Sequence, residues 1–202
     1  MIVSNYLWCE KELPVTSVRI LLFFKRSVCW CLSAVEEQCI RQFNEDLSND
    51  FLEGTWYRII QFTLFGNPIP SSECPTFNYS KPNATELARY KAEYLKPDTP
   101  FSFADTPIHH DGGRLRPLGL TIGNKQAKFF IMDPNTHFFR PPFLVRIYQR
   151  LSNDLILFHE CSSRGHVRWL MSRNRNPSRE EVDAVLKTRP EMANMWRQWY
   201  CV

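Results

Sequence analysis

Between residues 54 and 172 the chain breaks into short apolar runs, most of them bounded by Pro, Gly, Asn or Asp, and this segmentation limits the possible folds sharply. The first run starts at Gly54 inside "FLEGTWYRIIQF", where Trp56, Tyr57, Ile59, Ile60 and Phe62 favour a pleated backbone. Further strands are expected at "PTFNYS", "ELARYKAEYL", "RLRPLGLTI", "AKFFIMD", "FLVRIYQRL", "LILFHEC" and "HVRWLMSR". The turn signals "KPDTP", "HHDGG", "TIGNK", "DPN", "SND" and "SSRG" separate most of them. About eight strands with no long helix between them imply antiparallel pairing, in a sandwich or a closed barrel.

One segment breaks the pattern. In "NPSREEVDAVLK", Ser178 precedes Glu181 by the spacing of a capping box, and Val182, Val185 and Leu186 recur at helical spacing. A C-terminal helix laid on the outside of the sheet by that apolar face is expected.

At 202 residues the chain suits one domain with a full core. An apolar fraction of 44% with 14% aromatics excludes a disordered chain. The net charge of +4 has no long Lys/Arg run behind it, so nucleic acid is not an expected partner. Arg164, Arg168, Arg173, Arg175 and Arg179 read as a solvated face.

Residues 1–34 read as an atypical secretory leader or a wrongly joined N-terminus, and residues 35–202 as the mature domain. Two apolar stretches, Ile20 to Phe24 and Val28 to Leu32, are split by Lys25 and Arg26, and small residues at Ser33 and Ala34 offer a cleavage site. Neither stretch approaches the roughly 18 apolar residues needed to span a bilayer. Removing this segment takes away four basic and two acidic residues and leaves a charge of +2.

Seven cysteines are present, and Cys9, Cys29 and Cys31 lie in the leader. The remaining Cys39, Cys74, Cys161 and Cys201 form an even set spread along the mature chain, which suggests two long-range disulfides and an oxidising compartment. Sequence alone permits three pairings, or four unrelated buried thiols. "NYS" at Asn78 and "NAT" at Asn83 are glycosylation acceptors if the chain is secreted.

These elements together resemble the lipocalin family: Cys39, Gly54-Thr55-Trp56-Tyr57 opening the first strand, Cys161 ending a late strand, Arg173 after the last one, then the capped helix and Cys201. The resemblance covers roughly residues 39–201, and "RWLMSRNRNPSREEVDAVLK" is most similar to the apolipoprotein D group, with the insect bilin-binding proteins and Lazarillo. It implies an eight-stranded antiparallel up-and-down β-barrel with one C-terminal helix packed outside. It further implies that Gly54 turns the chain into the barrel, that Trp56 plugs its closed end, and that Arg173 lies over the indole. The implied disulfides are Cys39 to Cys161 and Cys74 to Cys201. One departure stands out: the family's Thr-Asp-Tyr before the turn linking strands seven and eight is replaced by Arg150-Leu151-Ser152.

The resemblance implies a secreted monomeric carrier for a small hydrophobic ligand such as a fatty acid, retinoid, sterol, pheromone or bilin, with a cell-surface receptor as a second class of partner. Strand alternation that turns Asn78 outward turns Phe77 and Tyr79 inward, and with Tyr57 they are the expected lumen residues. "FADTPIHHDGG" is expected at the rim opposite Trp56. His109 and His110 point to opposite faces of a strand, so neither they nor Asp111 suggest a metal site, and no cofactor is expected. Catalysis is not expected either. The family's prostaglandin isomerases use a free lumenal Cys, and Gly-x-Ser-x-Gly, His-Glu-x-x-His and phosphate-loop motifs are absent from the sequence. The alternatives are a barrel with a filled lumen that acts as a protein-interaction module, or an isomerase of that kind.

Overall fold

A single antiparallel sheet carries the expected alternation of inward and outward side chains in the computed structural model, which describes residues 32–64, 73–97, 99–105, 107–111, 118–135, 143–161 and 167–201. Its strands are β1 (Gly54–Thr63), β2 (Thr76–Ser80), β3 (Ile108–Asp111), β4 (Gly119–Ile122), β5 (Ala127–Met132), β6 (Phe143–Arg150), β7 (Leu155–Glu160), β8 (Val167–Ser172) and β9 (Trp196–Trp199). Each of the first eight pairs with its sequence neighbour, and β8 returns to β1. The wall therefore closes as the eight-stranded up-and-down barrel that was expected. A bulge between Arg58 and Ile60 divides β1, whose first part pairs with β2 and whose last four residues pair with β9.

Three α-helices of the described residues lie outside the wall: α1 (Ala34–Gln42), α2 (Ala84–Tyr94) and α3 (Arg179–Leu186). Val182 and Leu186 of α3 pack on Ile60, Leu155, Leu157 and Leu170 as the spacing suggested, and the Ser178 hydroxyl accepts from the Glu181 amide at 3.1 Å. Tyr90 and Tyr94 of α2 cover Leu120, Ile122 and Ile131, while Ile40 of α1 and Phe43 just beyond it cover Val145 and Ile147. Much of the wall is thus apolar on both faces, which explains why runs such as "LILFH" do not alternate in the sequence.

Two expectations about elements fail. "ELARYKAEYL" is not a strand but most of α2: Asn83 and Glu86 form a reciprocal capping box, and Leu87, Tyr90 and Tyr94 recur at helical spacing on the packed face. Conversely, the histidines of the supposed turn "HHDGG" belong to β3, which supplies the eighth barrel strand. In the segment "FADTPIHHDGG", the described residues divide between the outer wall and β3. Phe103, with Phe101 just before the segment, packs on the outer wall beneath α2, and Ile108 joins the interior cluster around Trp56; Thr106, Gly112 and Gly113 lie outside the described residues.

The suspected leader lies outside the described residues up to position 31. Ser33 caps α1 with a capping box to Glu36, and Leu32 packs against the outer clusters. Cleavage after Ser33 or Ala34 would remove that cap, at a cost of about 1 kcal/mol to the helix.

Candidate functional site

The barrel interior is closed at the end where β1 begins. Trp56 is fully buried there, its indole N–H donates to the Leu52 carbonyl at 2.8 Å, and Phe51 packs against the ring. The Arg173 guanidinium lies 4.4 Å from the indole centroid and donates to the carbonyls of Glu53 at 2.9 Å and Phe51 at 2.6 Å. Gly54 makes this approach possible, since its φ is +108° and an added Cβ would sit 3.0 Å from Nη1 of Arg173. We expect Gly54→Ala to lower the urea midpoint by the equivalent of about 1 to 3 kcal/mol. An unchanged midpoint would show that the backbone at this turn relaxes freely.

The segment before β1 is laced across the floor. The Lys128 ammonium, on the inward face of β5, donates to the carbonyls of Leu47 at 2.6 Å and Gly123 at 2.8 Å, and the Asn49 amide donates to the Thr121 carbonyl at 3.2 Å. Burial pushes the Lys128 amine down to about 7, against a smaller opposing pull from the Asp105 carboxylate.

Above the floor lies an aromatic layer. Phe77 and Tyr79 of β2 both face inward, as the alternation around Asn78 implied. Their rings reach across the barrel, Phe77 to Phe158 at 6.3 Å and Tyr79 to Tyr148 at 6.3 Å, while Phe158 stacks on Trp169 at 5.1 Å. The two tyrosine hydroxyls are 3.4 Å apart, and burial holds the Tyr79 phenol well above its ordinary range. Tyr57 is elsewhere: it packs against the outer cluster beneath α3 and has no part in the lumen. The lumen residue Trp169 donates to Gln61 at 3.2 Å, and neither it nor Gln61 stood out in the sequence.

A polar layer follows toward the other end. Arg146 is buried, with its guanidinium 3.5 Å from the Phe130 ring centroid, Nη1 donating to Nδ1 of His110 at 3.2 Å, and Nη2 donating to Glu160 at 3.0 Å. With Nδ1 accepting, the His110 proton sits on Nε2. Gly119 makes room for this stack, because a Cβ there would lie 2.6 Å from the Phe130 ring. Farther along, toward the end opposite Trp56, the inward-facing Leu144, Glu160 and Val167 are only half-buried.

Both disulfides implied by the resemblance are present, Cys39 to Cys161 and Cys74 to Cys201. Asn78 and Asn83 are exposed, the first accepting from the Thr55 hydroxyl and the second capping α2. No cluster of three metal-ligating side chains occurs among the described residues, and His109 and His110 do point apart.

No protein-family model matches the sequence, and no curated protein does. Among solved structures, lobster apocrustacyanin A1 is similar at a TM-score of 0.40 and 14% identity, over 74% of this chain and 78% of that one. A biogenic amine-binding protein is similar at a TM-score of 0.40 and 13% identity, over 76% of this chain and 82% of that one. The fold assignment rests on the strand pairing itself.

Proposed function

We propose that this chain is a lipocalin-type extracellular carrier that binds a small hydrophobic ligand in the barrel lumen. The observation that carries the reading is the lumen's polarity along its axis: sealed by Trp56 and Arg173 at one end, lined by aromatic rings, and half-exposed at Leu144 and Val167 at the other. Such a cup offers an apolar ligand burial on aromatic faces at about 25 cal/mol per Å² before ordering costs. The two disulfides and the capped helix on the outer wall support a lipocalin of the apolipoprotein D kind, secreted after removal of a leader and glycosylated at Asn78 and Asn83. All four cysteines of the described residues are in disulfides, which favours a binding role over thiolate catalysis.

A second reading has one observation in its favour. The rings that meet across the lower lumen fill that part of the barrel, as an interaction module with a closed core would require. Native mass spectrometry of the protein from secreting cells, with titration of tryptophan fluorescence by apolar ligands, separates the two. A co-purified small molecule and saturable quenching are expected. A barrel that is empty and unresponsive would favour the interaction module.

A further inference from the structure

We infer that the lumen's ligand is an amphiphile with a carboxylate head group, and that Arg146 receives that carboxylate. This rests on the carrier reading and names the ligand class for the same site. Among the described strand residues, the charged side chains on inward positions are Arg58, Lys128, Arg146, Arg150 and Glu160, four basic against one acidic. A cationic ligand entering this interior meets a net repulsion, and an anion a net attraction that low polarity strengthens.

Position selects Arg146 among the four: Arg150 is exposed at the closed end, over the Phe51 ring at 4.6 Å. Lys128 is committed to the floor through the Leu47 and Gly123 carbonyls, and Arg58 lies over the Tyr200 ring at 4.2 Å. Arg146 stands between the aromatic layer and the open end. Its guanidinium is held by the Phe130 face and by His110, so little ordering remains when an anion arrives.

Glu160 makes the exchange feasible. It is the carboxylate on Nη2, and its side chain is 37% exposed, whereas that of Arg146 is 5% exposed. A ligand carboxylate can take the place of Glu160 on the guanidinium while Glu160 turns into water. One carboxylate is desolvated as another is resolvated, and the buried guanidinium is never left without an anion. A neutral ligand gains nothing from this exchange. The apolar tail of a carboxylate seated here would run past Leu144 and Val167 toward the opening.

The test compares cis-parinaric acid with its methyl ester, read by quenching of tryptophan fluorescence and by the probe's own fluorescence, on wild type, Arg146→Gln and Glu160→Gln. The wild type should bind the acid at least about tenfold more tightly than the ester, the ratio expected for one charge-assisted hydrogen-bonded contact. Glu160→Gln removes the competing carboxylate and should tighten the acid several-fold while leaving the ester unchanged. Arg146→Gln should bring the acid down to the ester's level. Should Arg146→Gln fail to fold in a thermal melt, the wild-type ratio and Glu160→Gln, at a half-exposed site, still decide. Equal binding of acid and ester in the wild type overturns the head-group inference and leaves the carrier intact. A preference for the acid that Glu160→Gln leaves unchanged also overturns it. Failure of both probes to bind overturns the carrier reading as well.

Discussion

Removing both disulfides is expected to leave the chain unfolded at physiological temperature, whereas removing either one alone leaves a weakened barrel. Cys39 to Cys161 spans 122 residues and Cys74 to Cys201 spans 127. The chain-entropy model gives about 4 to 5 kcal/mol for each closure, against a total stability of about 5 to 15 kcal/mol for a domain. The loops interleave, so the second closure acts on an already restricted chain and contributes less than the first. The two single losses differ in kind. No residue of α1 is fully buried, so without Cys39 to Cys161 the helix is held by the half-buried Ile40 and neighbouring Phe43, and hydrogen exchange should rise over 34–42 before the barrel opens. Without Cys74 to Cys201 the loosened element is β9, whose strand pairing among the described residues is with the end of β1 alone. Urea melts of the paired Cys→Ser variants test the magnitudes. Midpoints equal to wild type would mean that the unfolded chain is compact enough to make the crosslinks redundant.

How much of this is legible in the sequence depends on the range of the interaction. Period-two alternation is local, and it correctly turns Phe77 and Tyr79 inward around Asn78. The same rule, applied to an inward Trp56, puts Tyr57 on the outside, where the structure has it. The inward charges are legible by that logic as well: Lys128 shares its face with Phe130, and Arg146 shares its face with Leu144 and Tyr148, so a basic side chain two residues from aromatic lumen positions marks an interior charge. Alternation fails at "ELARYKAEYL", where the helical recurrence of Leu87, Tyr90 and Tyr94 and the Asn83–Glu86 capping box outweigh it. Contacts between distant residues, such as Arg173 over Trp56 or the two cysteine pairs, leave no local pattern. They become readable only through resemblance to a family.

Stability should rise with pH between about 7 and 10, because Lys128 is pushed down to about 7 from an ordinary 10.5. In that window the unfolded chain keeps the lysine proton and the folded one has released it. The unfolded state thus binds more protons, and stability increases as pH rises. The gain over the window is about 3 to 5 kcal/mol if the full shift is realised. It ends near pH 10, where Tyr79, Tyr90 and Tyr94, all raised by burial, bind more protons folded than unfolded and reverse the slope. His159 acts in a separate range. Burial, with a smaller push from Arg168, lowers it to about 4 from 6.5, so its contribution is lost only as pH falls through that interval. Lys128→Met isolates the first effect. The variant leaves the Leu47 and Gly123 carbonyls unpaired, a cost of about 1 to 3 kcal/mol each, but no longer buries a charge near neutrality. Urea midpoints should therefore lie close together at pH 7 and diverge in favour of the wild type by pH 10. A wild-type curve flat between those values would mean that the Lys128 ammonium stays charged in the floor, with the two carbonyls sufficient to hold it there.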